Sequence, residues 1–413
     1  MKVISTASQE WQRLCGRQLI RKRRVEESVR KIVDAVCQGG DEALLRYTRK
    51  FDKAKLAPRQ LRVTEAEISG AFQHLDPKFA LQMKSAIQNV QLFYSRPRMK
   101  PVRMVDGDGV VLGEKFDPIE RVGIYIPGGT ASLVSTVYMT VIPAKQAGVK
   151  RIILATPPRK DGSVDPHILA VASLLDVDEV YRMGGAQAIA AMAFGTKSVP
   201  KVDKIVGPGN AYVTEAKRQV FGFVDIDTIA GPSEVAVIAN RFANPEYVIA
   251  DLKGESEHVG GLCFLITPSR ELARLVRKQV PGGYCILVKN LNEAVAAANQ
   301  LAPEHLQIMV KSPRSLLRRI VTAGAIFLGP YSPTSVGDYV AGPSHVLPTG
   351  GSGRAFSGLG VEDFIRRTHF ISYTKKALER MREPIERLTA IEGMPRHYDT
   401  VKVRLGSTGD GIR

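Results

Sequence analysis

The chain has 413 residues, 44% apolar and 24% charged, a balance typical of a globular protein and a length suited to two or three cores. No apolar stretch approaches the length of a membrane span, and the first residues, MKVISTASQEWQRL, lack the apolar core of a signal peptide, so we expect a cytoplasmic protein without a membrane partner. The net charge of +17 is spread along the chain apart from a cluster at 17–24, and no nucleic-acid-binding module accompanies it, so we expect no nucleic-acid partner.

The first hundred residues are predicted to be mainly helical. The segments VEESVRKIVDAV and DPKFALQMKSAIQNVQLFY, both between 25 and 95, carry apolar residues at helical spacing. A patch rich in strand-forming residues follows at 102–115, and its turn Asp106-Gly107-Asp108-Gly109 predicts a β-hairpin.

From residue 122 onward the pattern alternates between strand and helix. The apolar runs VGIYI, RIILAT, EVYRM and KIVG predict buried strands, each followed by a helical segment after a short glycine-rich link. Such alternation predicts parallel βαβ units, so residues 122–233 should form one doubly wound domain. The pattern repeats over 234–360, where the predicted strands are SEVAVIA, LCFLIT, YCILV, LQIMV and AIFLG.

The fold class is therefore α/β, with two doubly wound, incomplete Rossmann-like parallel-sheet domains and a small C-terminal tail domain. We expect an N-terminal arm at 1–22, a discontinuous first domain from 23–121 and 234–360, a second domain at 122–233, and a tail at 361–413. The tail carries a basic helical segment, YTKKALERMREPIERLTAI, and a predicted short strand, VKVRL. It is too small to fold alone, so it should pack on another domain or subunit.

Three glycine-rich turns follow predicted strands of the 122–233 block: Pro127-Gly128-Gly129, Gly184-Gly185 and Gly207-Pro208-Gly209-Asn210. Ligands of open α/β sheets bind at this edge, where backbone N–H groups and helix N-termini face an anion. None of the three is a full GxGxxG fingerprint, and an ordinary tight turn accounts for any one of them alone. Their occurrence together leaves a ligand site and simple turns as equal alternatives.

The histidines suggest a second kind of site. The four cysteines contain no CxxC pair, so a metal would have to bind to His, Asp, Glu or Gln. Acidic and imidazole groups occur close together at four places in the sequence: Glu255 with His258, Glu304 with His305, Asp338 with His345, and Glu392 with His397. Ligands of this type from distant segments are typical of zinc with an open coordination position, although a surface or core histidine explains each pair singly.

Ordered motifs along nearly the whole chain resemble the histidinol dehydrogenase family. They include YIPGGTA, GGAQAIAAMAFGT, DKIVGPGNAYVTEAKR, AGPSEV, APEHLQI, GDYVAG, HVLPT and EGMPRH. The resemblance implies oxidation of L-histidinol to L-histidine through the aldehyde with two NAD, the last step of histidine biosynthesis. It also implies one Zn²⁺ per subunit and a homodimer whose C-terminal tails are exchanged, so that each reaches the partner's active site.

Site residues follow from the same resemblance, position by position. It implies the catalytic pair Glu304 and His305, with His305 as the base and Glu304 as the group that activates water for the second oxidation. The implied zinc ligands are Glu255, His258, Asp338 and, from the partner subunit, His397. Substrate contacts would come from the ligands and the catalytic Glu304, with Ser233, His345 and Glu392 in addition. Cofactor contacts would come from Tyr125, Gln187 and Asn210.

Three departures from the family pattern affect these expectations. Glu255 stands where the family usually has a Gln ligand, and a carboxylate also binds zinc well. The segment between LCFLITPS and YCILV is short and should hold a single helix, RELARLVRKQV. Ser344 and Thr334 replace a usual Asn and Glu. Two alternatives therefore stay open: a zinc- and NAD-dependent relative acting on another amino alcohol or polyol, and a non-catalytic binding protein.

Overall fold

The structure is a computed structural model that describes residues 1–16, 23–95, 100–128, 132–177, 179–258 and 260–406. Most of the basic cluster at 17–24 and the predicted turn residue Gly129 lie outside these ranges. No helix among the described residues combines the length and apolar content needed to cross a bilayer.

The described strands belong to three sheets. In chain order they are β1 (Lys2–Ile4), β2 (Val102–Val105), β3 (Val111–Pro118), β4 (Arg121–Tyr125), β5 (Arg151–Thr156), β6 (Glu179–Arg182), β7 (Lys204–Val206), β8 (Asp225–Ile226), β9 (Glu234–Ala239), β10 (Leu262–Thr267), β11 (Tyr284–Leu287), β12 (His305–Met309), β13 (Ala325–Leu328) and β14 (Ile365–Ser372).

The helices connect and cover these strands. They are α1 (Gln9–Cys15), α2 (Arg23–Phe51), α3 (Glu65–Gly70), α4 (Pro77–Tyr94), α5 (Val134–Ala147), α6 (Pro166–Leu174), α7 (Gly185–Phe194), α8 (Ala211–Val220), α9 (Pro245–Glu255), α10 (Arg270–Gln279), α11 (Leu291–Leu301), α12 (Arg314–Leu317), α13 (Thr334–Tyr339), α14 (Lys375–Arg380), α15 (Arg382–Ile391) and α16 (Pro395–Leu405). Helix α2 is kinked at Gly40, whose φ of 53° is a left-handed conformation that glycine adopts without a steric penalty.

Strands β4 to β8 form a five-stranded parallel sheet in the order β6-β5-β4-β7-β8. The chain runs outward from central β4 through β5 and β6, then crosses back to place β7 and β8 on the other side, which confirms the predicted doubly wound arrangement. Helices α7 and α8 cover one face, and apolar residues of α2, among them Val29, Ile32 and Val36, join the same core. The expected core partner of the early helices was the second α/β block, whereas α2 packs against α7 and α8 because its apolar face meets theirs.

The second parallel sheet has six strands in the order β1-β11-β10-β9-β12-β13. Central β9, EVAVIA, is buried at every position, as expected of a strand covered on both faces. Its alternate residues enter two different cores: Ala236 and Ile238 pack with α1 and α11, while Val235 and Val237 pack with α9 and α10. Strand β1, which the sequence analysis did not predict, completes the edge beside β11.

The shortened segment before β11 leaves this sheet intact. It contains α10, as predicted, and β11 still pairs in parallel with β10. The side chain of Ser269 caps α10 at its start, since its hydroxyl accepts a hydrogen bond from the N–H of Leu272. The shorter segment therefore does not change the order of the strands in the sheet.

The chain divides into two compact units, Met1–Arg96 with Ile119–Phe364, and Pro97–Pro118 with Ile365–Arg413. Within the second unit, β14, β3 and β2 form an antiparallel sheet, which confirms the predicted hairpin of β2 and β3. The proposed domain boundaries themselves stay a prediction.

Two details of the tail prediction were wrong. The segment VKVRL is the last part of helix α16, because Tyr398 and Val401 form a helical stripe that buries against the neighbouring tail helices. The predicted long basic helix is divided at Met381 into α14 and α15.

Candidate active site

The acid–histidine pair lies at the amino end of β12, beside the amino end of β9, its neighbour in the six-stranded sheet. In the sheet register His305 lies opposite Val235. Helix α11 ends at Ala302, which has a left-handed φ of 48°, and the chain then turns through Pro303 into β12. The turn places Glu304 and His305 at the edge of the sheet, beside the start of β9.

Glu304 is 7% exposed, and its carboxylate is held by the backbone of β9. Its Oε2 accepts a hydrogen bond from the N–H of Glu234 at 3.0 Å. Burial disfavours the charged form and raises the pKa of Glu304 to about 8, although the nearby His305 acts in the opposite direction. A carboxyl group with this pKa can exchange a proton near neutral pH.

His305 is 4% exposed and lies among three carboxylates. Its Nδ1 is 3.3 Å from the carbonyl oxygen of Glu234 and 4.0 Å from Oε2 of Glu304. Because a carbonyl only accepts hydrogen bonds, Nδ1 carries a proton, which leaves Nε2, 3.5 Å from Oδ1 of Asp338, as the exchangeable position. Burial lowers the pKa of His305, but Glu304 and Asp338 outweigh it and raise the pKa to about 9.

Glu255, which is buried, brings a third carboxylate to this cluster from the last turn of α9. Its Oε2 is 4.0 Å from Nδ1 of His305. Burial raises the pKa of Glu255, while the Ser233 hydroxyl and the histidines at 305 and 258 act to lower it. Ser233 also lowers the pKa of Glu304 by hydrogen bonding, so this one hydroxyl lies beside both carboxylates. His258 itself is exposed, three residues beyond α9.

The donor set around Glu255 fits a metal ion in its chemistry. Glu255 is 4% exposed, and its Oε1 has no hydrogen-bond partner among the described residues. A buried carboxylate oxygen without a partner is costly unless a cation neutralises it. Within the described ranges, no three His, Cys, Asp or Glu side chains are already grouped in metal-binding geometry. Glu255, His258 and Asp338 would therefore have to draw together around an ion.

His345 and Ser344 lie on the loop after α13. Nε2 of His345 is 3.0 Å from the hydroxyl of Ser135. Burial lowers the pKa of His345, which keeps the ring neutral, although Asp338 acts to raise it. The backbone N–H of buried Ser344 donates to the hydroxyl of Tyr94 at 2.9 Å, so this residue is held by α4.

Two of the predicted cofactor residues lie close together at the carboxyl edge of the five-stranded sheet. Tyr125 ends β4, and its hydroxyl accepts a hydrogen bond from the N–H of Gly185 at 3.0 Å. Burial raises the pKa of Tyr125 to about 12. Gln187, in the first turn of α7, is 1% exposed, and its Oε1 has no partner among the described residues. This unused buried acceptor fits a polar ligand such as the cofactor.

Asn210 begins α8, where its side chain accepts hydrogen bonds from the N–H groups of Tyr212 and Val213. The preceding loop is fixed by a buried ion pair between Lys217 and Asp227. Lys217 donates to the carbonyl of Gly207 at 3.0 Å, and Asp227 accepts from the N–H of Gly207 at 2.8 Å. Gly207 has a φ of 112°, and a Cβ there would lie 2.2 Å from the carbonyl oxygen of Tyr125, so only glycine fits.

Glu392 and His397 belong to the second compact unit. Glu392 follows the end of α15, and His397 is in the first turn of α16. Both side chains are exposed. Their assignment to a partner's active site stays a prediction.

Sequence reasoning missed Glu234, which connects the parts of the site. Its backbone contacts both members of the pair, and its fully buried carboxylate accepts a hydrogen bond from the N–H of Gly350. The available signal was a glutamate at the start of a continuous apolar strand, because a charge buried there needs specific partners.

Comparison with known proteins gives matches along almost the whole chain. A family model described as histidinol dehydrogenase matches residues 16–405. The histidinol dehydrogenase of Bacillus cereus is 45% identical over 401 residues, covering 92% of each chain. That of Listeria monocytogenes is 45% identical over 399 residues, covering 92% of this chain and 93% of its own. A crystal structure of histidinol dehydrogenase from Elizabethkingia anophelis matches with a TM-score of 0.90 at 36% identity, covering 98% of both chains.

Proposed function

The chain belongs to the histidinol dehydrogenase family, and we propose that it oxidises L-histidinol to L-histidine through the aldehyde, with two NAD, as the last step of histidine biosynthesis. The observation that carries this proposal is the buried Glu304–His305 pair, held by the backbone of Glu234 beside the carboxylates of Glu255 and Asp338. A site of this kind can exchange two protons in succession, as a four-electron oxidation requires.

In the first oxidation, the neutral form of His305 takes the hydroxyl proton of the alcohol. With a pKa of about 9 this is the minor form near pH 7, so its fraction increases as the pH rises. Because Nδ1 already donates its proton to the Glu234 carbonyl, the new proton binds to Nε2. Oδ1 of Asp338, 3.5 Å from Nε2, stabilises the resulting positive charge. The carbon loses a hydride as the oxygen loses its proton, which gives the aldehyde. His305 then releases its proton before the second oxidation.

The second oxidation needs water, since an aldehyde has no hydroxyl group to deprotonate. Glu304 takes a proton from water as the oxygen adds to the aldehyde carbon, and it returns this proton to the former carbonyl oxygen, which produces the hydrate. Its raised pKa, caused mainly by burial, makes Glu304 a strong enough base for this step while it is ionised. His305 then removes a hydroxyl proton from the hydrate as the second hydride leaves.

Bound NAD would accept each hydride, and bound zinc would orient the polar groups of the substrate while its charge lowers the pKa values of neighbouring acids. Tyr125, Gln187 and Asn210 are the proposed cofactor contacts. Glu255, His258 and Asp338 are the proposed zinc ligands, with His397 of the partner subunit as the fourth. Ser233 and His345, together with Glu392 of the partner subunit, would contact the substrate in a homodimer.

The test is turnover of L-histidinol by the zinc-loaded protein with NAD. We expect two NADH for each histidinol consumed and L-histidine as the product. An aliphatic amino alcohol without an imidazole ring is the matched control and should react far more slowly. Equal rates with the two alcohols, or no NADH from histidinol, would contradict the proposal.

A further inference from the structure

A carboxylate and an amide oxygen with incomplete hydrogen bonding lie together at the start of helix α7. Asp52 directly follows the last residue of α2, and Gln187 lies in the first turn of α7. Oδ2 of Asp52 is 3.5 Å from Nε2 of Gln187, a long hydrogen bond and the only one to this carboxylate from the described residues. Oε1 of Gln187 is buried and, within the same ranges, has no partner.

Among the described residues, no ion pair compensates the charge of Asp52, and no cation measurably offsets the effect of its burial. Burial raises the pKa of Asp52 to about 6, and the long hydrogen bond from Gln187 does not offset this effect. The charge of Asp52 in turn helps to raise the pKa of the Tyr125 hydroxyl, after the larger effect of burial. The Tyr125 hydroxyl already accepts the N–H of Gly185. The described groups around this point are therefore richer in acceptors than in donors.

Two unsatisfied acceptors call for a ligand that brings donors. A vicinal diol provides two hydroxyl donors at adjacent carbons, whereas a phosphate group would meet the Asp52 carboxylate with like charge. A ribose has such a vicinal diol. A ribose 2′-phosphate lacks the free 2′-hydroxyl and would bring a negative charge close to Asp52. The acceptor pair therefore fits the sugar of a dinucleotide better than its phosphates.

The position of Asp52 and Gln187 relative to the sheet indicates which of the two riboses of a dinucleotide they would bind. Gln187 follows β6, on the side of central β4 that β5 and β6 occupy. In doubly wound dinucleotide-binding domains an acid on this side holds the adenosine ribose and excludes a 2′-phosphate. Here the loop after β5 has carboxylates at Asp161 and Asp165. Both are already bonded, Asp161 to Ser163 and Asp165 to Ser132, Arg159 and His167, so we look to the end of α2 for the acid.

We propose that Asp52, with Oε1 of Gln187, binds the hydroxyl groups of the adenosine ribose and makes this protein select NAD over NADP. The proposal rests on the proposed NAD-dependent function and adds a specificity-determining residue to it. Asp52 accepts from the sugar hydroxyls, and its charge repels the 2′-phosphate of NADP.

The experiment measures binding of NAD and of NADP to the zinc-loaded protein by calorimetry, which does not depend on turnover. We compare the wild-type protein with Asp52→Asn, Asp52→Ala and the control Asp34→Asn, which makes the same change at an exposed position of α2. Thermal unfolding checks that each variant is folded, and Asp52→Asn keeps the test valid if the alanine variant fails.

In the wild-type protein and in Asp34→Asn, we expect NADP to bind at least tenfold more weakly than NAD. Both Asp52 variants should bind NAD roughly tenfold more weakly, because a charge-assisted hydrogen bond is lost, and should narrow the NAD-to-NADP ratio. Unchanged NAD affinity in the Asp52 variants would overturn the proposal. Weaker NAD binding with an unchanged ratio of NAD affinity to NADP affinity would also overturn it, since it would indicate that Asp52 contacts the ribose of the nicotinamide half. In both cases continued NADH formation from histidinol would leave the proposed function standing, whereas wild-type protein without NADH formation would refute that function.

Discussion

The backbone N–H of Glu234 donates a 3.0 Å hydrogen bond to the carboxylate of Glu304, across two neighbouring parallel strands. The carbonyl of the same residue lies 3.3 Å from Nδ1 of His305. One peptide segment therefore fixes the position of the acid and the tautomer of the base. The side chain of Glu234 adds a contact to Gly350 on the loop that follows His345.

Replacing Glu234 by Ala should destabilise the protein, because the N–H of Gly350 loses a buried acceptor. We expect the free energy of unfolding to fall by about 2 kcal/mol in urea titrations. Glu234→Gln retains an oxygen at this place and should lose less than half as much. Equal losses for both variants would show that the carboxylate has a different role from the one its contact with Gly350 indicates.

Replacing Glu304 by Gln should impair the second oxidation more than the first, since an amide cannot take a proton from water. We expect the NADH produced per histidinol to fall from two toward one, with aldehyde accumulating. His305→Asn is the comparison, and it should slow both oxidations by about 100-fold or more because the base acts in each. A Glu304→Gln variant that still forms two NADH per substrate at the wild-type rate would exclude Glu304 as the activator of water.

Replacing Glu255 by Gln should leave both the metal and the activity in place, because the family usually has Gln at this position. Glu255→Ala should lose the metal, since no oxygen ligand remains there. Metal analysis of the purified variants measures the outcome, with Glu257→Gln as an exposed control two residues away. Loss of metal and activity in Glu255→Gln would mean that this site has diverged from the family design.

Asp52 should make stability depend on pH. Its pKa of about 6 in the folded protein lies above the ordinary aspartate value of 3.8, so folding disfavours its ionised form. Well below pH 3.8 the group is neutral in both states and costs nothing, and as pH rises from about 4 to 6 the folded protein loses stability relative to the unfolded chain. Above pH 6 the cost stays constant, on the order of 2 kcal/mol.

Asp52→Asn removes this titration. Its unfolding free energy, compared with that of the wild-type protein, should rise between pH 4 and pH 6 and then level off. Asp34→Asn, the same change at an exposed position of α2, is the matched control. A flat difference for Asp52→Asn would show that the carboxylate is better solvated or better paired than its contacts indicate.

Particular elements show how far the sequence predicts this fold. The runs VGIYI, RIILAT and EVAVIA are strands as predicted, because a continuous apolar stretch bounded by glycine or polar residues is characteristic of a buried parallel strand. The alternation in VKVRL also predicts a strand, yet these residues are helical. The strand preference of a five-residue pattern is small compared with the stabilisation gained when Tyr398 and Val401 pack against neighbouring helices.

The sequence by itself determined the alternation of strands and helices between 122 and 328, the adjacency of Glu304 and His305, and, through its motifs, the family. These properties depend on neighbouring residues or on ordered patterns that survive in the chain. Only the tertiary structure decided that Glu234, Glu255 and Asp338 surround His305, that Lys217 and Asp227 hold the loop before Asn210, and that Asp52 approaches Gln187. Such contacts join segments tens of residues apart, and the burial that shifts the pKa values of Glu304 and Asp52 exists only once those segments have packed.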